Sequence, residues 1–239
     1  MRAGEPQIVA IGGGGLSADP DRYAIERYIV GNARRARPSV CYVGTASGDE
    51  NAYAVRFYAA MAELDCRPSR LPFFARTPDL RKLVLAQDVV YVGGGNTRSM
   101  LAVWREWGLD QVLREAWENG TLLCGTSAGA ICWFESGVTD SWADALQPMP
   151  CLGFLPGACC PHYDGEKERR PAVQRLVSEG RLASVLALDD GAAAHFRGTA
   201  LAGIVTSRPK ALGYIVKCGV EKSGSAAREE PLPARYLID

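Results

Sequence analysis

TLLCGTSAGAICWF, residues 121–134, runs from an apolar strand into Gly125-Thr126-Ser127-Ala128-Gly129 and on into an apolar helix that begins at Ala130. Strand, Gly-x-Ser-x-Gly, helix is the context a nucleophile elbow requires. A serine at such a turn is forced toward positive φ, so the residues two before and two after it must be small, and here both are glycine. The turn also aims the Ala128 amide, at the start of the following helix, toward any oxygen bound beside Ser127. The reading is therefore a serine hydrolase nucleophile, against the plainer alternative of a tight structural turn.

Outward from this point the chain alternates buried strands with helices. Ile8 to Ile11 breaks into Gly12-Gly13-Gly14-Gly15, Ser39 to Val43 ends at Gly44-Thr45-Ala46-Ser47, and Asp88 to Val92 ends at Gly93-Gly94-Gly95-Asn96-Thr97. Continuous apolar strands imply burial on both faces, the habit of a parallel sheet covered by crossover helices. Helical spacing of apolar residues appears over 23–33, 52–64, 99–107 and 109–117. After Ser127 the pattern loosens over 140–157. A helix is expected over 170–177 and a strand over 185–188. Residues 192–196, 200–206 and 211–216 read as antiparallel edge strands, and the polar tail over 220–239 as loose.

The chain has 239 residues, 47% of them hydrophobic and 23% charged, enough for the core of one α/β domain over 1–239. Its 27 basic and 27 acidic side chains cancel, with no footprint for nucleic acid or an anionic membrane. A small-molecule substrate and a monomer or homodimer are expected. The first fifteen residues lack a basic segment followed by an apolar one, and no apolar run reaches the roughly 18 to 20 residues that cross a bilayer, so a cytoplasmic location is expected. Eight cysteines without a CxxC pair read as buried or free thiols. Neither metal nor cofactor is expected: no ligand spacing suits a metal. The dinucleotide pattern at Gly12–Gly15 meets Ser17 or Ala18 where its third glycine belongs, and no Gly-Lys-Ser/Thr follows a glycine loop. That run serves either as an anion- or substrate-binding turn or simply as sheet topology.

A serine hydroxyl needs a base, most often histidine, oriented by a carboxylate. Of the two histidines, His162 stands where a strand meets a loop and is the expected base, whereas His195, amid apolar alternation, reads as structural. Asp140, in the loop after the elbow helix, is the favoured carboxylate, with Glu135 and Asp164 as competitors. Gly95 is the expected second oxyanion donor beside Ala128, because it ends the strand expected next to that of Ser127. Asn96 and Thr97 either bind substrate or cap the next helix.

Together, Val92-Gly93-Gly94-Gly95-Asn96-Thr97, Gly125-Thr126-Ser127-Ala128-Gly129-Ala130 and Pro161-His162 resemble the peptidase E and cyanophycinase family of serine peptidases over about residues 7 to 200. The resemblance implies a three-layer α/β sandwich with a mostly parallel central sheet, similar to class I glutamine amidotransferases and flavodoxin-like in order. It implies a Ser-His-Asp or Ser-His-Glu triad acting on peptides with an acidic N-terminal residue, or on related aspartyl bonds. The family's nucleophile falls on Ser127, its oxyanion donors on Gly95 and Ala128, its base on His162 and its acid best on Asp140. In peptidase E a charged segment after the histidine supplies an arginine for the substrate's acidic side chain. Here that segment is Gly165-Glu166-Lys167-Glu168-Arg169-Arg170-Pro171, so Arg169 or Arg170 takes the role, although Glu168 falls where a count would place the arginine. The plainer reading of this segment is a solvated helix start. The rivals are an esterase or acyltransferase of the α/β-hydrolase type, argued against by the early His162, and a non-catalytic ligand-binding protein of the same fold.

Overall fold

The computed structural model describes residues 4–16, 23–142, 145–221 and 224–237; Ser17 and Ala18 of the discarded dinucleotide pattern lie outside them. Five strands, β1 (Gln7–Ile11), β2 (Ser39–Val43), β3 (Arg67–Leu71), β4 (Val89–Val92) and β5 (Leu122–Thr126), pair in parallel in the order β1-β5-β4-β2-β3. The glycine-ended strand β4 is thus the neighbour of the Ser127 strand, as expected. Helices α1 (Ala24–Gly31), α2 (Asn51–Ala62), α3 (Leu80–Leu85), α4 (Thr97–Trp107) and α5 (Leu109–Glu118) make the crossovers. After them come α6 (Ala128–Ile131), β6 (Phe134–Thr139), β7 (Gln147–Pro150), β8 (Leu155–Cys160), α7 (Arg169–Ser178) and β9 (Ser184–Leu188). The chain closes with β10 (Ala192–Arg197), β11 (Ala200–Thr206), β12 (Gly213–Glu221), β13 (Gly224–Leu232) and β14 (Ala234–Tyr236).

Strands β10, β11 and β14 extend the main sheet beyond β1 to eight strands. The mostly parallel α/β reading therefore holds, with helices on both faces. One face packs Val9, Tyr42, Tyr91 and Cys124 against Ile25 of α1 and Phe57 of α2. The other packs Ile8, Val90 and Leu123 against Trp104 of α4 and Leu113 of α5.

Three expectations need correction. The stretch 140–157 is not irregular throughout, since β7 and the first half of β8 fall in it: β6, β7 and β8 join β9, β12 and β13 in a second, six-stranded sheet in the order β13-β12-β9-β8-β6-β7, covered on one face by α7 through Val173 and Leu176. The tail is not loose, because β13 pairs with β12 along its whole length and β14 runs parallel to β11. The elbow helix is a single turn, α6, rather than one running to Phe134. The carbonyls of Trp133 and Phe134 accept from Leu155 and Gly153 at 2.8 and 2.9 Å, so tertiary bonds displace helical ones there. Strand β3 and helix α3 were unforeseen. Cys41, Cys66, Cys124, Cys132, Cys159 and Cys160 are buried free thiols. No helix among the described residues is long and apolar enough to cross a membrane.

Candidate active site

Ser127 sits between β5 and α6 with φ 56° and ψ −112°, a conformation that glycine adopts freely and serine does not. The flanking glycines explain how the turn closes. A Cβ on Gly125 would stand 2.5 Å from the Gly129 carbonyl oxygen and 2.7 Å from that of Val92, and one on Gly129 would stand 2.8 Å from the Val92 carbonyl carbon. The elbow is therefore wedged against the end of β4. Gly94 lies beside it, where a Cβ would meet Ser127 Cβ at 3.2 Å and Oγ at 3.8 Å. Among the described residues, the amides of Gly94, Gly95 and Ala128 donate to no protein acceptor.

Three consecutive carbonyls at the end of β1 hold three loops. Ile11 accepts from the Ser127 amide at 3.1 Å, Gly12 from the His162 amide at 2.9 Å and Gly13 from the Gly191 amide at 2.8 Å. Ile11, Gly12 and Gly13 thus form a backbone bracket on which the Ser127 turn, His162 and an acidic loop all hang. His162, itself at φ 52°, places Nδ1 2.7 Å from Asp190 Oδ1. With Asp190 ionised, Nδ1 donates to it and Nε2 is the nitrogen left for exchange with a hydroxyl. The hydrogen bond from His162 is the main reason the Asp190 carboxyl lies below the usual carboxylate range, outweighing its partial burial. The Asp190 loop is fixed in turn. Its amide donates to Asp164 Oδ1 at 2.9 Å, its carbonyl accepts from Arg208 Nε at 3.0 Å, and Arg208 closes the ring with an ion pair to Asp164.

Sequence reasoning missed Asp190 and favoured Asp140. The Asp140 carboxylate is largely exposed and stands 3.9 Å from Arg169 Nη2; it makes no contact with His162. The physical reason is the second sheet: β6 carries Asp140 away from the bracket, whereas the turn after β9 returns to it. Glu135 accepts from the Gly157 amide at 2.8 Å, and Asp164 holds the Asp190 loop rather than the histidine. His195 is structural as expected, with Nδ1 2.6 Å from the Tyr28 hydroxyl and Nε2 2.9 Å from Gln7 Oε1. Burial pushes its pKa down to about 4.

Around Ser127 and His162 lies a cleft of about 180 Å³ lined by Gly93 to Gly95 and by Leu16, Tyr42, Tyr53 and Tyr91. The four expected substrate-binding side chains are not among its lining. Asn96 caps α4, accepting from the Ser99 amide at 2.9 Å, and donates to the Ser141 carbonyl at 2.8 Å. Thr97 is buried in the first turn, its amide donating to Ser141 Oγ at 3.0 Å. Arg169 is 5% exposed and bound to Glu166 Oε2 at 2.7 Å and the Val138 carbonyl at 2.9 Å. Arg170 lies over the Tyr163 ring at 4.7 Å and pairs with Glu229 at 3.2 Å. Both arginines tie α7 to the second sheet.

The chain is 51% identical over 232 residues to an uncharacterized peptidase, YgaJ, of Bacillus subtilis, covering 97% of this chain and 99% of that protein. Against peptidase E of Haemophilus influenzae it is 33% identical over 128 residues, 49% of this chain and 58% of that one. A crystal structure of a peptidase from an acI-B1 Actinobacterium superposes with a TM-score of 0.68 at 17% identity, covering 97% of this chain and 96% of the other. A putative peptidase E from Listeria monocytogenes superposes with a TM-score of 0.60 at 18% identity, covering 82% and 96%. These two likenesses speak for the fold. The model of peptidase family S51 matches residues 8–204, and the chain belongs to that family of serine-type peptidases.

Proposed function

We propose that the chain hydrolyses small peptides through an acyl-enzyme on Ser127, with His162 as base and Asp190, not Asp140, as the orienting carboxylate. The carrying observation is the Asp190–His162 pair at 2.7 Å, hung from the same β1 bracket as the Ser127 turn. His162 Nε2 takes the Ser127 proton as Oγ attacks the scissile carbonyl. The resulting oxyanion lies against the Ala128 and Gly95 amides, which would otherwise have no acceptor. His162 then delivers the proton to the leaving nitrogen, and water repeats the sequence on the ester to release the acid and restore Ser127. A lost oxyanion donor costs about 3 to 4 kcal/mol in such a site. The proposal carries no requirement for an N-terminal aspartate, since Arg169 and Arg170 are held elsewhere.

The test is peptide hydrolysis by purified protein, with fluorophosphonate labelling of Ser127 as a second readout. Ser127→Ala should remove both and lower kcat by several powers of ten, about 10⁶-fold where a nucleophile is deleted. Peptide cleavage surviving in that variant would overturn the mechanism.

A further inference from the structure

Strand register aligns Cys124, Tyr91, Tyr42 and Arg70 as successive neighbours across β5, β4, β2 and β3. Neighbours in register present side chains on the same face, so Tyr91 and Tyr42, two of the three tyrosines lining the catalytic cleft, continue directly into Arg70. A second cavity, of about 240 Å³, opens there; it shares Tyr42 with the catalytic cleft and is lined by Asp49, Asn51, Arg70, Leu71, Pro72 and Phe74 among others. Its rim is built. Asp49, at φ 58°, accepts from the amides of both Phe73 and Phe74, the latter at 2.9 Å, and this holds Phe74 with 60% of its surface exposed. Both bonds go to the one oxygen, Asp49 Oδ2. Arg70 is exposed, and it donates from Nη1 to the neutral Asn51 Oδ1 at 3.2 Å; among the described residues no carboxylate lies within ion-pair distance of it. A guanidinium beside an aromatic and aliphatic wall, with a neutral partner only, matches a carboxylate joined to an apolar side chain.

We infer that this outer cavity is a subsite for the C-terminal part of the substrate, with Arg70 binding the free carboxylate and Phe74 and Pro72 receiving the last side chain. The inference rests on the peptidase reading above and extends it to substrate length. Three strand spacings separate β5 from β3, roughly 14 Å, and an extended peptide advances about 3.3 Å per residue. A leaving portion that crosses those strands from β5 is therefore about four residues, or about three once the reach of the Arg70 side chain is counted, so tetrapeptides and pentapeptides should outperform dipeptides.

The experiment compares kcat/KM for di-, tri-, tetra- and pentapeptides sharing one scissile bond, each as free acid and as C-terminal amide, in native protein and in Arg70→Gln. The expected result is a rise of about tenfold or more from dipeptide to the best tetra- or pentapeptide, with amidation and Arg70→Gln each removing that gain. Amidation should then have no further effect in Arg70→Gln, while dipeptide turnover and Ser127 labelling stay within about twofold. Length-independent hydrolysis, or an Arg70→Gln loss equal for every length and insensitive to amidation, overturns the subsite and leaves the peptidase reading standing. Labelling of Ser127 with no peptide of any length cleaved overturns the peptidase reading, and the subsite with it.

Discussion

Gly13 is the position at which one methyl group tests the whole arrangement. Its φ is outside the left-handed region, so alanine meets no backbone obstacle there. A Cβ at this point would overlap Asp190 Oδ1 and His162 Nδ1 and stand 2.6 Å from His162 Cε1. Carbon atoms pack comfortably at about 3.5 to 4.0 Å, so the imidazole or the carboxylate has to retreat by roughly 1 Å. A misplacement of that size costs about 10²-fold in turnover, and complete loss of the orienting carboxylate about 10⁴-fold. Gly13→Ala should therefore lower kcat by about 10² to 10⁴ with a smaller change in KM, at an overpacking cost of about 1 to 3 kcal/mol in stability. The discriminating assay is a double-mutant cycle with Asp190→Ala. If Gly13→Ala acts by parting His162 from Asp190, it should add little once Asp190 is gone. A kcat within about fivefold of native, or an equal loss in both backgrounds, would refute the reasoning.

Three further outcomes follow from the same geometry. Asp190→Asn should reduce kcat by about 10⁴-fold whereas Asp140→Asn stays within about threefold, measured on any peptide the native protein cleaves; the reverse order would return the acid to the loop after β6. Ser127→Gly should raise the thermal midpoint, since a residue held at φ 56° carries about 1 to 3 kcal/mol of strain that glycine relieves, and about 2 to 4 °C per kcal/mol is the scale for a chain of this size; an unchanged or lower midpoint would show the turn to be unstrained. His195, neutral in the fold down to about pH 4 against an ordinary 6.5, makes the unfolded chain the better proton binder between those values. Stability should thus fall on acidification through that window, by on the order of 3 kcal/mol from this one group, and urea unfolding of His195→Gln should show a slope shallower by one proton.

How far the sequence carried the fold depends on which bonds each element needs. Strands β1, β2, β4 and β5 are buried on both faces; the first three end at glycines and β5 carries Gly125 one residue before its end, so their apolar runs and stops can be read locally. Strand β3, Arg-Pro-Ser-Arg-Leu, sits at the sheet edge with its outer side chains in water, and β7, Gln-Pro-Met-Pro, is also an edge, so neither needs an apolar pattern. Helix α6 stops after one turn because Leu155 and Gly153, some twenty residues on, take the carbonyls that a longer helix would have used.

The proposed triad divides along the same line. Ser127 is fixed by residues within two positions of it, and His162 by the strand that ends just before it, so both were legible. The carboxylate is fixed by neither; it belongs to whichever acidic turn returns to the end of β1, and that depends on the pairing of β10 with β1 and the bond from Gly191 to Gly13. One signal was present: β9 stops at Asp189-Asp190-Gly191, the same strand-then-glycine ending that marked the other site loops. Asp189 does not fill the role: it is 3% exposed, its Oδ2 accepts from the Leu212 amide at 3.0 Å, and the carboxylate that meets His162 is that of Asp190. Under the proposed mechanism, proximity to the elbow in sequence does not select the acid. Attachment to the Ile11–Gly13 carbonyls does, and it selects Asp190, the carboxylate that a side chain on Gly13 would part from His162.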